Sequence, residues 1–404
     1  MQPDGDYQYY KEIFRHQRMP LAFVDLDKFD RNIVYVASTQ RNTGKTVRVH
    51  SKSLRCVNLT KRIFEKGGPA YKGIMDFSME ETQYLADKGF DNFIVAYPTV
   101  QPSDLKLFAD LTQKGVKVSL MVDCEEHLKL ISEAGQAADT VLKVCLDLDL
   151  AYRPAFTNKH LGLRRSPIRS PEQAVSIARA AKQYPWIEID ALMGYEGHIA
   201  GPCDDVPGRW FHNRVLRFLK SRSTKEFSKR RIDVIKALKQ EGIKLEVING
   251  GGSGSLVSTG KEEIVTEVTA GSAFYAPSSF WHYKEVSFTP SAFFAIQVVR
   301  KPTANMVTCQ GGGYPASGPA GLDKLPVPVY PPGMKLLSLE GAGEVQTPLE
   351  LPDNCPDLEL GDPVFFQHAK GGELSERFNE FYLVQDGQII DQVPTYRGEG
   401  YAFI

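Results

Sequence analysis

Short apolar runs alternate with stretches of helical spacing from residue 46 to residue 271. Eight runs are rich in β-branched and aromatic residues: "VRVHS" (47–51), "YKGIMDF" (71–77), "NFIVAYP" (92–98), "VKVSLMV" (116–122), "TVLKVCLDL" (140–148), "IEIDALMGY" (187–195), "KLEVING" (244–250) and "IVTEVTAG" (264–271). In the first, Val47 and Val49 alternate with Arg48 and His50, the period of a strand. Between the runs, "MEETQYLADKG" and "PSDLKLFADLTQKG" read as helices closed by glycine. "SPEQAVSIARAAKQYP" opens with a serine cap and a first-turn proline. Repeated βα units predict a parallel sheet. Eight of them point to an α/β fold of the closed (β/α)8 type, with an open doubly wound sheet as the competing arrangement.

The flanks read differently. A further strand-helix pair, "LAFVDLDKFDRNIVYVASTQRN", precedes the first run. After residue 285 short strands and turns such as "DG" take over, so 21–285 is expected to form the barrel and 286–404 a mostly β domain. Residues 311–333 are rich in proline and glycine and read as an ordered surface loop, with a lid as the alternative. Residues 201–232 form a polar, basic insertion, expected as a solvated helix face rather than an anion site.

Composition narrows the class. At 404 residues the chain exceeds one ordinary domain; 42% hydrophobic and 24% charged residues are those of a globular protein. A net charge of -1 gives no reason to expect nucleic acid or an anionic membrane as partner. No apolar run approaches the ~20 residues that span a bilayer. The polar start "MQPDGDYQYYKEIF" has no signal-peptide core. Six scattered cysteines without CxxC spacing read as reduced thiols, so a cytoplasmic location is expected.

In a barrel, chemistry collects beyond the C-terminal ends of the strands. The first run ends in Lys52, an unusual residue for a buried strand end. The fifth is followed by Arg153 and Arg164, and the sixth ends in "GYEGH", with Tyr195 and His198. The seventh ends in "NGGGSGS" (249–255) and the eighth in "TAGSAFY" (269–275). Glycine turns leave backbone N–H groups free to converge on an anion, and barrels commonly hold phosphate after strands seven and eight. Alone, either turn reads equally well as a structural loop, and the GK[ST] ending of a P-loop is absent. A phosphate cradle opposite a strand-end lysine points to pyridoxal 5'-phosphate, whose aldehyde forms a Schiff base with an amine. The other reading of Lys52 is a side chain that snorkels from the barrel rim.

"VRVHSKS", "GYEGH", "INGGGSGS" and "TEVTAGSAFY", in this order, resemble the fold-type III pyridoxal-phosphate enzymes, nearest the D-threonine aldolase and D-serine dehydratase group, over nearly the whole chain. The resemblance implies an alanine-racemase-like barrel, a C-terminal β domain on which residues 1–20 pack, and a homodimer. It makes Lys52 the Schiff-base lysine, His198 the base for the substrate hydroxyl and Tyr195 a contact of the cofactor ring. Asn249, Gly251, Gly252, Ser253, Gly271 and Ser272 form the cofactor cradle, with Tyr275 nearby. Arg164, rather than Arg153, is expected at the cofactor's phenolic oxygen.

One departure stands out. Members of the group bind a divalent metal through a histidine and, two residues later, a cysteine or aspartate. Here His368 is followed by Lys370, whose ammonium has no lone pair to offer. No metal is therefore expected, unless Glu373 or Glu376 rebuilds the site, and His368 and Lys370 become candidate substrate contacts. The expected activity is a lyase, an aldolase or dehydratase, on a small β-hydroxy D-amino acid. A racemase is the first alternative; its second base has only Tyr382 and Tyr396 as candidates. A non-catalytic pyridoxal-phosphate-binding protein is the second, and the extra β domain argues against it.

Overall fold

The computed structural model describes residues 3–154 and 157–403, with side chains from Asp6. Nine strands open the chain: β1 (Leu21–Asp25), β2 (Thr46–His50), β3 (Tyr71–Asp76), β4 (Phe93–Val95), β5 (Val118–Val122), β6 (Leu142–Asp147), β7 (Ile187–Gly194), β8 (Val247–Gly250) and β9 (Glu267–Ala270). Strands β2 to β9 close into a parallel barrel, the ring completed by Thr46 opposite Glu267. All eight apolar runs thus become barrel strands, and the open sheet is ruled out. The intervening helices carry the expected signals. Ser78 caps Met79–Asp87, and Ser170 with Gln173 forms a capping box on Pro171–Ala181.

The barrel interior is a packed core in two tiers. Met75, Ile94, Met121, Cys145, Ala191 and Met193 fill the upper part. Below them Arg48, 0% exposed, donates from Nε to Glu267 Oε1 at 2.5 Å and from Nη2 to Oε2 at 3.1 Å. Asn249 Nδ2 donates to the same carboxylate at 2.8 Å. The alternation of Arg48 with Val47 and Val49 therefore turns an arginine inward, where a fork-to-fork pair satisfies its charge.

The remaining strands are β10 (Ala292–Thr303), β11 (Met306–Gln310), β12 (Val327–Tyr330), β13 (Lys335–Leu336), β14 (Gln346–Glu350), β15 (Pro363–Gln367), β16 (Glu380–Gln385) and β17 (Gln388–Pro394). They form a mixed sheet in the order β13-β14-β11-β10-β1-β16-β17, with β15 also pairing β10 and β12. Strand β1 lies within this sheet, antiparallel to β10 and parallel to β16, although the sequence groups it with the barrel. All five of its residues are buried, which a strand achieves only with neighbours on both edges and cover on both faces. The helix Pro3–Ile13 lies against the sheet: Tyr10 and Phe14 meet Phe23 at 4.9 and 4.6 Å between ring centroids.

The insertion is a single helix, Trp210–Gln240, and only part of it is a solvated face. Its Arg231 is fully buried, contrary to the sequence expectation, because two carboxylates await it. No helix among the described residues is long and apolar enough to cross a membrane.

Candidate active site

Beyond His50 the chain leaves β2 through a single helical turn, Ser51–Ser53, which carries Lys52. The turn is held from several sides. Leu54 N–H donates to the Ser51 carbonyl at 2.8 Å. Tyr275 Oη and Ser375 Oγ both donate to the Leu54 carbonyl, at 3.0 and 2.7 Å. Arg55 Nε donates to the Lys52 carbonyl at 3.1 Å and its guanidinium pairs with Glu376 of the β domain. Gly372 packs so closely that a Cβ there would lie 1.8 Å from the Lys52 carbonyl oxygen. The β domain thus clamps the backbone of Lys52, leaving the side chain to enter the barrel mouth.

In the mouth Lys52 Nζ donates to Tyr97 Oη at 3.2 Å, and Arg165 Nη2 donates to the same oxygen at 3.2 Å. The Arg165 guanidinium also lies over the rings of Tyr97 and Tyr195, 5.0 and 5.6 Å from their centroids. Burial would raise the Tyr97 phenol, but the charges of Lys52 and Arg165 and their hydrogen bonds outweigh it and lower it below the ordinary tyrosine range. Tyr195, by contrast, is pushed up to about 12 by burial. His50 holds the Met75 carbonyl through Nδ1 at 2.8 Å; burial and the Lys52 charge drive its pKa far down, so it stays neutral.

Opposite Lys52 the two glycine turns meet. Ser253 Oγ accepts from the N–H groups of Gly271 and Ala273 at 3.2 and 3.0 Å, and Ser53 Oγ lies 3.3 Å from Ser272 Oγ. A side chain at Gly252 would meet the Tyr195 ring at 2.9 Å, and one at Gly271 would meet Ser53 Oγ at 2.7 Å. Gly251 has φ +79°, which L side chains rarely adopt. Backbone amides, hydroxyls and an absence of side chains make a cradle that fits the phosphate of the expected pyridoxal phosphate, with an amine across the cleft.

Of the residues expected from sequence, Lys52, Tyr195, Asn249, Gly251, Gly252, Ser253, Gly271 and Ser272 line this one cleft. The others do not. Arg164 is exposed outside it, and its neighbour Arg165 enters instead; Arg153 pairs with Asp149 at 3.2 Å. The segment between β6 and the helix at 171 is irregular, so no periodicity tells adjacent arginines apart. His198 turns from the cleft towards the long helix, its Nε2 on Ser223 Oγ and its ring edge on Phe227. Burial, aided by the Arg230 charge, pushes it down to about 4. Tyr275 is buried beneath the lysine turn and acts as a support.

His368 is 3% exposed against the Tyr275 ring, and burial pushes it down to about 3. Because Gly371 and Gly372 press on Ser53 and Lys52, the preceding Lys370 faces outward, and its Nζ donates to Ser317 O and Oγ at 2.5 and 3.1 Å. Neither residue lines the cleft. Glu373 accepts from Ser317 and Glu376 pairs with Arg55. His50, Tyr97 and Arg165 are the residues sequence reasoning missed. Tyr97 had a signal: it lies at the end of the run "NFIVAYP", two residues past β4.

Comparison with known proteins bears on the fold and the family. A 3-hydroxy-D-aspartate aldolase of Paracoccus denitrificans (strain Pd 1222) is 23% identical over 261 residues, 65% of this chain and 61% of that protein. A D-threonine aldolase of an Arthrobacter species is 21% identical over 296 residues, 72% of this chain and 71% of that one. The crystal structure of D-threonine aldolase from Filomicrobium marinum superposes with a TM-score of 0.78 at 20% identity, covering 94% of this chain and 95% of that one, and so shares its fold. The model of the alanine racemase N-terminal domain matches residues 24–279, most of the chain including the whole barrel, and the protein belongs to that family.

Proposed function

We propose that the protein is a pyridoxal-phosphate-dependent lyase that cleaves a small β-hydroxy D-amino acid. The observation that carries this reading is the placement of Lys52 Nζ in one cleft with the turns at Ser253 and Ser272. Lys52 would hold the cofactor's aldehyde carbon, the amides and hydroxyls around Ser253 and Ser272 its phosphate, and Arg165 its phenolic oxygen. When bound, the cofactor supplies an electron sink for charge developing at the substrate Cα. Lys52 would be the group that moves a proton at the substrate Cα. Arg165 offers the cleft a fixed positive charge for a substrate carboxylate or the cofactor's oxygen. The names of both curated relatives support aldol cleavage over β-elimination. Lys370, two residues after His368, has no lone pair to offer a metal. Tyr382 and Tyr396 give the racemase reading little support: Tyr396 is buried with its hydroxyl on Glu81, and Tyr382 lies on Phe14. We carry the homodimer and the cytoplasmic location as parts of the same proposal.

The test is to load the purified protein with pyridoxal phosphate and add D-threonine, D-serine or D-alanine. Aldehyde and glycine from D-threonine are expected, with no product from D-alanine and none in Lys52→Ala. Ammonia and a 2-oxo acid would move the assignment to elimination. A cofactor absorption band unmoved by every amino acid would leave a binding protein.

A further inference from the structure

We propose that Tyr97 is the base that takes the proton from the substrate's β-hydroxyl, and that it returns this proton through Lys52 to Cα. The inference rests on the lyase reading and names the group that reading leaves open. The titratable side chains lining the cleft, among the described residues, are His50, Lys52, Tyr97, Arg165 and Tyr195. Lys52 is engaged at Cα, and an arginine does not give up its proton. His50 is committed to Met75 and is too weak a base, while burial holds the Tyr195 proton firmly. His198 faces Ser223, outside the cleft. Tyr97 remains, 3.2 Å from both Lys52 Nζ and an arginine nitrogen, and the Arg165 charge, which persists while Lys52 acts as a neutral amine, favours its phenolate.

The step balances without an outside reagent. The phenolate oxygen of Tyr97 takes the hydroxyl proton, and the O–H electron pair becomes the second bond of the aldehyde carbonyl. The Cα–Cβ bond breaks, and its pair stays on Cα, where the bound cofactor spreads the charge. The Lys52 amine takes the proton from Tyr97 and delivers it to Cα. The products are an aldehyde and glycine, and Tyr97 returns to its starting protonation state.

Tyr97→Phe removes one oxygen and tests the proposal. Three quantities are compared with the wild type: cofactor binding by visible absorption, exchange of a glycine Cα proton with heavy water, and cleavage of D-threonine. Binding and exchange use the cradle, Lys52 and Arg165 rather than the Tyr97 hydroxyl and are expected to stay within about threefold, while cleavage falls roughly 10²- to 10⁴-fold. The acid limb of the wild-type kcat/KM profile should disappear. In the cofactor-free protein one tyrosine should ionise below the ordinary range by near-ultraviolet difference absorption, and the signal should vanish in Tyr97→Phe. Cleavage within about threefold of wild type, equal losses of exchange and cleavage, or an unchanged tyrosinate signal would each overturn the assignment. If the wild type neither takes up the cofactor nor exchanges glycine, the lyase reading itself has failed, and the proposal with it.

Discussion

Glu196 binds the Gly251 amide with one carboxylate oxygen, at 2.9 Å, and the Arg231 guanidinium with the other. Both side chains are 0% exposed. Arg231 also pairs with Glu262 at 2.5 Å and donates to the Gly194 carbonyl at 3.1 Å. A residue of the inserted helix thus fixes the turn that begins the phosphate cradle, through the glutamate of "GYEGH".

Breaking such a buried pair leaves an unpaired charge and costs about 3–5 kcal/mol. Arg231→Met is expected to lower unfolding free energy by that amount in urea titrations and to weaken cofactor binding. Glu196→Gln retains an acceptor for the Gly251 amide and loses only the charge, so its loss of cofactor affinity should be smaller. Equal effects in the two variants would show that loss of the ion pair, not a carboxylate left buried and unpaired, weakens the turn.

Adjacent arginines separate position from composition. Arg165→Leu is expected to weaken pyridoxal phosphate binding at least about tenfold, the equivalent of about 1.4 kcal/mol for one charge-assisted contact. Arg164→Leu should bind within about twofold of wild type, as equilibrium titration of the absorption band would report.

Acid stability should respond to two buried groups in opposite directions. Burial raises Glu81 from 4.5 to about 7, the folded state favouring its protonated form. Its contribution is present below pH 4.5 and is lost as pH rises through 7. His198 is lowered from 6.5 to about 4, so its contribution is present above pH 6.5 and is lost as pH falls through 4. Relative to wild type, Glu81→Gln should therefore gain stability as pH rises from 4.5 to 7, and His198→Gln as pH falls from 6.5 to 4, each by at most about 1.4 kcal/mol per pH unit. Urea midpoints across this range measure both slopes.

The chain's own pattern was enough to reveal eight barrel strands, the helix cap at Ser170, Lys52 at a strand end and the glycine turns facing it. Each depends on nearest neighbours in sequence: alternation along a strand, a cap three residues from its partner, a glycine where the backbone must turn. Contacts between residues far apart in sequence were not legible in this way. Whether Arg164 or Arg165 enters the mouth depends on the path of an irregular loop. Whether His198 faces substrate or helix depends on Ser223, 25 positions away. Lys370 turns outward because Gly372 presses on the carbonyl of Lys52, 320 residues earlier, and Tyr97 meets two cations only because the end of β2 and that irregular loop converge on it. Sequence by itself determined the barrel and the lysine at the end of its first strand, because periodicity and turn chemistry are local. Tertiary structure alone decided which side chains share the cleft, because charge and burial act through space.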